Sequence, residues 1–216
     1  MQVRAVLMGP PGAGKGTQAQ VLAQGAGVPQ IATGDILRRA REEGTPLGRS
    51  AQSYMDKGEL VPDEVMIGII EERLRQDDAR QGFLLDGFPR TVPQAEALEH
   101  LLRTLGMPLD AVLLLEVPEE AIVRRLSGRR TCPSCGRSYH VENDPPPADG
   151  HCGSCGAELV TRTDDKSETV LSRLEVYRRS TAPLKTYYEQ HGLLRRVQGV
   201  GAVEEVTARL GAALRA

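Results

Sequence analysis

Tryptophan is absent from the 216 residues, and the chain has only two phenylalanines and five tyrosines. Proteins that bind single-stranded nucleic acid stack bases on aromatic side chains, so this scarcity argues against that class of function. No apolar run approaches the roughly 18 residues that a membrane span needs, and we expect a soluble protein. Residues 1–8 carry Arg4 inside a short apolar run with no small-residue cleavage site behind it. We therefore expect no signal peptide and a cytoplasmic location.

Neither sign of charge is in large excess, since 27 basic and 29 acidic residues give a net charge of −2. No overall positive field draws such a protein onto nucleic acid, so any binding of phosphate must be local. With 40% hydrophobic and 26% charged residues, the composition is that of an ordinary globular protein. At this length we expect one compact body with one or two small excursions.

Short apolar runs alternate with helical patterns along the chain. The runs predicted to form strands are residues 3–8, 83–85, 111–117 and 193–197. Apolar residues recur at helical spacing in residues 15–24, 62–75, 91–105, 118–126 and 169–188. Continuous apolarity suits strands that are buried on both faces of a parallel sheet, so the alternation predicts an α/β fold. Residues 32–61 and 129–165 interrupt this pattern with Gly, Pro and Cys and are predicted to be inserts.

A glycine-rich turn follows the first predicted strand and opens a predicted helix. Residues 9–17 read Gly-Pro-Pro-Gly-Ala-Gly-Lys-Gly-Thr. Glycines let backbone N–H groups point inward, the helix N-terminus adds partial positive charge, and Lys15 can reach the outer phosphates of a nucleotide. We interpret the turn as a phosphate-binding loop rather than a ligand-free turn. Gly16 separates Lys15 from Thr17, whereas the standard pattern has Ser or Thr directly after the lysine; this form resembles the nucleoside monophosphate kinase branch of phosphate-loop proteins.

A second motif, residues 82–90, reads Gly-Phe-Leu-Leu-Asp-Gly-Phe-Pro-Arg. An apolar strand that ends in Asp86 puts a carboxylate at the sheet edge beside the phosphate loop, where it can orient magnesium and its waters. Arg90 adds a planar guanidinium that suits bidentate contact with a second phosphate. The motif therefore indicates an acceptor site next to the donor site.

The four cysteines form two C-x2-C hooks, which are Cys132 with Cys135 and Cys152 with Cys155. Four thiolates at this spacing can converge tetrahedrally on zinc, and the glycine after each hook eases the turn around the metal. Four sulfur ligands leave no open position, so the metal is predicted to be structural. Disulfides and free thiols are the alternatives, and iron also fits such a site.

These motifs together resemble bacterial adenylate kinase over essentially the whole chain. The resemblance rests on residues 9–17, 33–35, 86–91 with Gln94, 128–130 and 161–165. It implies a P-loop NTPase-like parallel five-stranded sheet flanked by helices, with a short fifth strand at residues 30–32. It also implies three parts. The core would comprise residues 1–31, 62–127 and 166–216, the AMP-binding insert residues 32–61, and the zinc-binding lid residues 128–165.

The resemblance implies the reaction MgATP + AMP ⇌ 2 ADP, carried out by a monomer that binds neither nucleic acid nor membrane, with Mg2+ and structural Zn2+ as cofactors. The residues expected to bind ATP are Gly12, Ala13, Gly14, Lys15, Gly16, Thr17, Arg125, Arg129, Ser138, Tyr139 and Gly201. Those expected to bind AMP are Thr33, Arg38, Glu59, Leu60, Val61, Gly87, Phe88, Pro89, Arg90, Gln94, Arg162 and Arg173. The catalytic groups would be Lys15, Arg90, Arg125, Arg129, Arg162 and Arg173.

Arginine dominates this set, which fits a phosphate acceptor. A phosphate with a second pKa of about 6 is already ionised and needs no general base, whereas a hydroxyl acceptor calls for a placed carboxylate. Arg125 and Arg129 are predicted to share one helix face, where like charges repel and a bound anion would lie between them. Two alternatives stay open: a kinase for UMP, CMP or GMP, and a zinc-ribbon NTPase that acts on nucleic acid. A non-catalytic nucleotide-binding or metal-storage protein is disfavoured by Lys15, Asp86 and Arg90.

Overall fold

The computed structural model describes residues 3–142, 144–165 and 167–216. Met1 and Lys166, at which two of the expected core segments begin, lie outside the described residues. A parallel sheet of five strands occupies the centre, in the order β2-β3-β1-β4-β7. These strands are β1 (Arg4–Met8), β2 (Gln30–Ala32), β3 (Phe83–Asp86), β4 (Ala111–Glu116) and β7 (Leu194–Gln198). The predicted fold and the short fifth strand are confirmed, and no strand bound differs from its prediction by more than one residue.

Both faces of the sheet are buried, as the continuous apolar runs predicted. Side chains alternate between the faces along a strand, so Val6 and Met8 contribute to one core cluster while Ala5 and Leu7 contribute to the other. The helices that cover these faces are α1 (Lys15–Ala26), α4 (Asp63–Leu74), α5 (Val92–Thr104), α8 (Leu184–Gln190) and α9 (Val203–Arg215). Helices α6 (Glu119–Ser127) and α7 (Ser167–Val176) bury apolar residues together in a separate cluster.

The prediction of one helix over residues 169–188 is wrong, because the segment is divided. After α7, Tyr177–Thr181 forms a π-helical turn, and α8 begins only at Leu184. Pro183 has no N–H to donate and its ring clashes with the carbonyl four residues earlier, so a regular helix cannot continue through it. The N–H of Ala182 donates instead to the Tyr177 carbonyl at 2.8 Å.

Helix α9 was not predicted, although Val206 and Leu210 are spaced four residues apart and are both buried. Gln18 of α1 joins the two helices, since its side chain donates to the Val203 carbonyl at 3.0 Å and accepts from the Thr207 hydroxyl at 2.7 Å. The C-terminal helix therefore holds the phosphate-loop helix in place. In the described part of the chain, no helix is long and apolar enough to cross a membrane.

The first predicted insert follows the carboxyl end of β2, and the second follows α6. The first comprises α2 (Thr33–Glu42) and α3 (Pro46–Lys57). These helices cross closely at Gly48, where a Cβ would lie 2.1 Å from the Ala40 carbonyl oxygen. The second begins with the antiparallel strands β5 (Arg129–Thr131) and β6 (Ser138–His140), from which the cysteine hooks extend. The short 3₁₀ turn Thr163–Asp165 returns the chain to α7 and lies against α3.

Candidate active site

The phosphate loop connects β1 to α1, and Lys15 is the first residue of that helix. The Lys15 ammonium donates to the Gly9 and Pro10 carbonyls at 2.8 and 2.9 Å, so it lies folded over the loop. Burial lowers the pKa of Lys15 to about 7, against the opposing attraction of Asp86. The other predicted loop residues occupy the turn and the first helical positions: Gly12, Ala13, Gly14, Gly16 and Thr17.

Asp86 ends β3, which pairs directly with β1. One of its carboxylate oxygens lies 3.6 Å from the position that a Cβ on Gly16 would take. Burial raises the pKa of this carboxyl group, and the Lys15 charge opposes the increase. A carboxylate thus lies beside the phosphate loop, as the strand-terminal position predicted.

A cleft with two lobes opens above the sheet edge. The first lobe, of about 530 Å³, reaches Lys15 and is bounded below by Tyr177 and Thr181 of the π-helical turn. The second, of about 620 Å³, lies under the first insert. Both lobes are lined by Gly58, Leu60, Gly87, Arg90 and Arg173. The two lobes therefore share a wall that carries two guanidinium groups.

Most residues expected at the acceptor site line the second lobe: Thr33, Arg38, Glu59, Leu60, Val61, Gly87, Arg90, Gln94, Arg162 and Arg173. Thr33 donates through its hydroxyl to the Gly87 carbonyl at 3.0 Å, and Arg38 pairs with Asp35. Pro89 lines the first lobe. Phe88 is 1% exposed and packs in the core, so only its backbone is available to a ligand.

Arg90 and Gln94 are held together by a ring of hydrogen bonds. The Arg90 backbone N–H donates to Gln94 Oε1 at 2.7 Å, and Gln94 Nε2 donates to Asp63 Oδ1 at 2.7 Å. The Thr91 hydroxyl donates to the other Asp63 oxygen at 2.9 Å. The guanidinium of Arg90 is fixed through its Nε, which donates to the Gly87 carbonyl at 2.7 Å, and its own carbonyl accepts from the Thr181 hydroxyl at 2.9 Å.

Three arginines converge on two adjacent carboxylates at the end of the second insert. Arg162 forms a bidentate pair with Asp164, with N–O distances of 2.8 and 2.6 Å. Arg173 contacts both Asp164 and Asp165, at 3.0 and 3.3 Å, and Arg129 pairs with Asp165. Burial works against the ionised form of Asp164, yet Arg173 and Arg162 hold its pKa well below the usual range. Burial lowers the pKa of Arg173 to about 10, so it stays charged at neutral pH.

The predicted common helix face of Arg125 and Arg129 is wrong. Helix α6 ends at Ser127, and Arg129 lies on β5. The two guanidiniums have separate partners, since Arg125 donates to the carbonyls of Ala13 and Gly199 at 3.1 and 2.9 Å. Arg125 thereby connects the phosphate loop to the β7–α9 connection, in which Gly201 also lies. The inference that an anion lies between the two arginines loses its basis.

The four cysteine sulfurs of the hooks all lie within 4.8 Å of one another. Tetrahedral zinc with bonds of about 2.3 Å places sulfurs about 3.8 Å apart, and the Cys132–Cys155 and Cys135–Cys152 distances are 3.4 and 3.6 Å. These distances exceed a disulfide bond of about 2.05 Å. Gly136 and Gly156 follow the hooks with φ of +74° and +75°, as predicted. The donor set fits a structural thiophilic metal.

Tyr139 is 3% exposed and belongs to this cluster rather than to an open surface. Its hydroxyl lies 3.4 Å from Cys152 Sγ and accepts from the Gly153 N–H at 2.9 Å. The hydrogen bond from Tyr139 lowers the pKa of the Cys152 thiol. The side chain of Tyr139 therefore packs with the cysteine sulfurs, which leaves its backbone and the half-buried Ser138 for any nucleotide contact.

Two residues that hold the side chains of the cleft, Asp63 and Thr181, were absent from the predicted site, and Asp164 and Asp165 had no role assigned there. The two adjacent aspartates were visible as a pair of acids within an arginine-rich segment. Asp63 carried only the signal of an acidic residue in the first turn of a helix, which has an ordinary explanation in the helix dipole. Thr181 gave no sequence signal.

The family model described as adenylate kinase matches residues 7–193. The chain is 56% identical over 213 residues to adenylate kinase from Acidothermus cellulolyticus, with 99% of this chain and 98% of that protein covered. It is 55% identical over 211 residues to adenylate kinase from Geobacter sp. strain M21, with 98% and 99% covered. Adenylate kinase from Thermodesulfovibrio yellowstonii is 54% identical over 204 residues, with 94% and 95% covered.

Proposed function

This chain belongs to the adenylate kinase family, and we propose that its two-lobed cleft holds MgATP and AMP end to end. It is an ATP:AMP phosphotransferase, a nucleoside monophosphate kinase that transfers the γ-phosphoryl group of ATP reversibly to AMP and gives two ADP. This activity equilibrates the adenine nucleotides. The assignment of individual residues to ATP, AMP and the reacting phosphates is the proposal developed below.

The shared wall of the two lobes is the observation that carries the proposal. Arg90 and Arg173 line both lobes, and Lys15 lines the first. Two nucleotides in such lobes would meet at their phosphate ends, next to three cationic side chains. Phosphoryl transfer proceeds through a loose transition state with charge on the equatorial oxygens, so positioning and neutralisation are the main contributions a protein makes.

On the donor side, the loop residues Gly12, Ala13, Gly14, Gly16 and Thr17 would present backbone N–H groups to the ATP phosphates. Lys15 would leave the Gly9 and Pro10 carbonyls and turn toward the γ-phosphate. Arg125, which already contacts the loop and Gly199, would border the ATP site together with Arg129. Tyr139 and Gly201 would contact the nucleotide through their backbones, and Ser138 would lie beside it.

On the acceptor side, the AMP base would enter the second lobe beside Thr33, Gln94 and the segment Glu59, Leu60 and Val61. Arg38 and Arg90 would bind its phosphate, with the backbones of Gly87, Phe88 and Pro89 forming the floor. Arg162 and Arg173 would exchange contacts with Asp164 and Asp165 for contacts with the phosphates. The acceptor phosphate is already ionised at neutral pH, so the reaction needs no general base.

Magnesium bound to ATP supplies charge neutralisation between the phosphates. Asp86 fits this ion, because its carboxylate ends the strand beside the phosphate loop and lies close to Gly16. We propose that Asp86 accepts hydrogen bonds from the waters bound to the magnesium ion and does not contact the reacting phosphates. Structural zinc held by Cys132, Cys135, Cys152 and Cys155 would supply folding energy to a segment with few apolar side chains.

We propose that the chain is divided into a core and two parts that move, one for each nucleotide. Residues 32–61 would move as the AMP-binding part and residues 128–165 as the lid, while residues 1–31, 62–127 and 166–216 form the core. Closure of both would exclude water, which otherwise competes with AMP for the γ-phosphoryl group. We propose a cytoplasmic monomer that binds neither nucleic acid nor membrane.

The decisive experiment mixes purified protein with MgATP and, in turn, AMP, UMP, CMP or GMP, and follows diphosphate formation. We expect rapid ADP formation with AMP and much slower turnover with the others. Preferential phosphorylation of UMP, CMP or GMP would replace the proposed acceptor. ATP hydrolysis that depends on added RNA or DNA would instead support a zinc-ribbon NTPase.

A further inference from the structure

The side-chain amide of Gln94 is fixed at both ends. Its oxygen accepts from the Arg90 backbone N–H at 2.7 Å, and its nitrogen donates to Asp63 Oδ1 at 2.7 Å. Gln94 is only 2% exposed, yet it lines the second lobe of the cleft. The amide therefore faces the lobe from a site where its rotation is restricted.

The chemistry of Arg90 and Asp63 determines which of the two partners the oxygen of the Gln94 amide contacts and which the nitrogen contacts. A backbone N–H can only donate a hydrogen bond, and an ionised carboxylate can only accept one. The remaining oxygen of Asp63 accepts from the Thr91 hydroxyl at 2.9 Å, so both carboxylate oxygens have donors. A flipped amide would oppose its NH2 to the Arg90 N–H and its oxygen to the carboxylate. Both flipped contacts are repulsive, and the ring of hydrogen bonds admits one orientation.

Because the Gln94 amide has one orientation, it offers a ligand one arrangement of hydrogen-bond donor and acceptor. Oε1 keeps a free lone pair and Nε2 keeps a second hydrogen, so the amide presents an acceptor beside a donor. The adenine edge carries the complementary pattern, with the N6 amine as donor and N1 as acceptor. Guanine and hypoxanthine carry the reverse pattern, with O6 as acceptor and N1–H as donor. An amide free to flip would serve both kinds of base, whereas a fixed one serves only one.

We propose that Asp63 is a specificity-determining positioning residue, which selects a 6-aminopurine over a 6-oxopurine acceptor by holding the Gln94 amide in one orientation. This inference rests on the proposed function, in which the acceptor base enters the second lobe. Asp63 acts through Gln94 and has no contact of its own with the reacting phosphates. The selectivity therefore depends on the chemical nature of a residue 31 positions away from Gln94.

The test is Asp63→Asn, measured with AMP and with inosine monophosphate as acceptors. Inosine monophosphate has the reversed edge but lacks the 2-amino group of guanine, so the comparison isolates the orientation of the amide. The new amide can itself rotate and present either an acceptor or a donor to Gln94, so a flipped Gln94 keeps only one of its two repulsive contacts, the one with the Arg90 N–H. The flipped orientation therefore becomes less unfavourable. We expect the ratio of kcat/KM for AMP to that for inosine monophosphate to fall by about fivefold or more.

Glu64→Gln is the matched control. Glu64 is the exposed neighbour of Asp63 in the same first turn of α4, and the substitution makes the same chemical change and removes the same charge from the helix N-terminus. We expect its selectivity ratio to equal that of the unaltered enzyme. If Asp63→Asn does not fold, as judged by circular dichroism, Asp63→Ala is measured in the same way with the same expected fall.

An equal loss of kcat/KM with both acceptors would show a merely structural role for Asp63 and would overturn the inference. So would a selectivity ratio within about twofold of that of the unaltered enzyme. Failure of the underlying function is distinguishable, because the unaltered enzyme would then form no ADP from MgATP and AMP. Activity with AMP in the unaltered enzyme and unchanged selectivity in the variant would reject the role of Asp63 alone.

Discussion

Arg129 Nε donates to Asp165 Oδ2 at 2.7 Å, and the second nitrogen of the same guanidinium donates to Oδ1. The side chain of Asp165 is fully buried and also contacts Arg173. Arg129 starts the second insert and Asp165 ends it. One carboxylate thus ties the two stems of this insert together and holds two of the guanidiniums expected at the phosphates.

Asp165→Asn is expected to weaken the fold and the reaction together. The amide keeps one acceptor but leaves Arg129 without its carboxylate partner and Arg173 with Asp164 alone, so we expect a loss of about 2 kcal/mol in the free energy of unfolding. We also expect a lower kcat, because Arg129 loses its fixed position and Arg173 loses one of its two carboxylate contacts. Denaturant unfolding and steady-state kinetics measure the two effects. Asp149→Asn, at an exposed carboxylate of the same insert, is expected to change neither, and normal kcat in Asp165→Asn would contradict the positioning role.

Nucleotide binding is expected to take up a proton at Lys15. The pKa of Lys15 is lowered by burial to about 7 in the free enzyme, so at pH 8 most molecules carry a neutral amine there. The phosphates of a bound nucleotide favour the ammonium and raise that pKa, which requires uptake of close to one proton at pH 8 and much less at pH 6. Calorimetry of MgATP binding in buffers with different ionisation enthalpies measures this number.

Lys15→Met provides the control for that measurement. This substitution removes the titrating group, so the proton uptake at pH 8 should disappear, and turnover should be abolished while the circular dichroism spectrum stays unchanged. Undiminished proton uptake in Lys15→Met would assign the proton to another group. An unchanged kcat would reject the proposed contact between Lys15 and the γ-phosphate.

Cys152→Ser is expected to release the structural metal. Three remaining thiolates form an incomplete site, so the two cysteine hooks are no longer joined through one metal ion. We expect the free energy of unfolding to fall by about 3 kcal/mol, which corresponds to a fall in Tm of roughly 10 °C for a chain of this size. Metal analysis and thermal unfolding give the two readouts, and appreciable activity should survive at low temperature. Complete loss of chemistry in a folded, metal-free variant would indicate that the metal takes part in more than the fold.

Gly87→Ala is expected to raise the KM for AMP. Gly87 has φ of +82°, and a Cβ there would lie 3.0 Å from both Thr33 Oγ1 and an Arg90 nitrogen, two groups expected at the AMP site. Gly106→Ala is the matched control, since Gly106 has φ of +67° but no heavy atom within 4 Å of the added Cβ. Both variants should lose about 1 kcal/mol of stability through backbone strain, but only Gly87→Ala should show the higher KM. Equal KM values would contradict the assignment.

The α/β alternation and four of the five central strands were predictable because each depends on a short run of residues, whereas the short fifth strand was expected from the family resemblance. The divided segment after α7 was missed, although Pro183 was visible, because a long apolar periodicity outweighed a single residue in the prediction. Helix α9 was missed despite the spacing of Val206 and Leu210. Both errors concern segments whose local sequence patterns conflict or are weak. Packing against the sheet and α1 then determines where helices form.

The sequence by itself determined the phosphate loop, the strand-terminal Asp86 and the two cysteine hooks, because each is specified by residue types at fixed short spacing. Only the tertiary structure decided how the arginines are shared among Asp164, Asp165 and backbone carbonyls, and that the Tyr139 hydroxyl turns toward the cysteine sulfurs. It also decided that Asp63 fixes Gln94. Most of these contacts join residues that are distant in the chain. Their distances in space are set by the packing of helices and strands, which no local sequence pattern encodes.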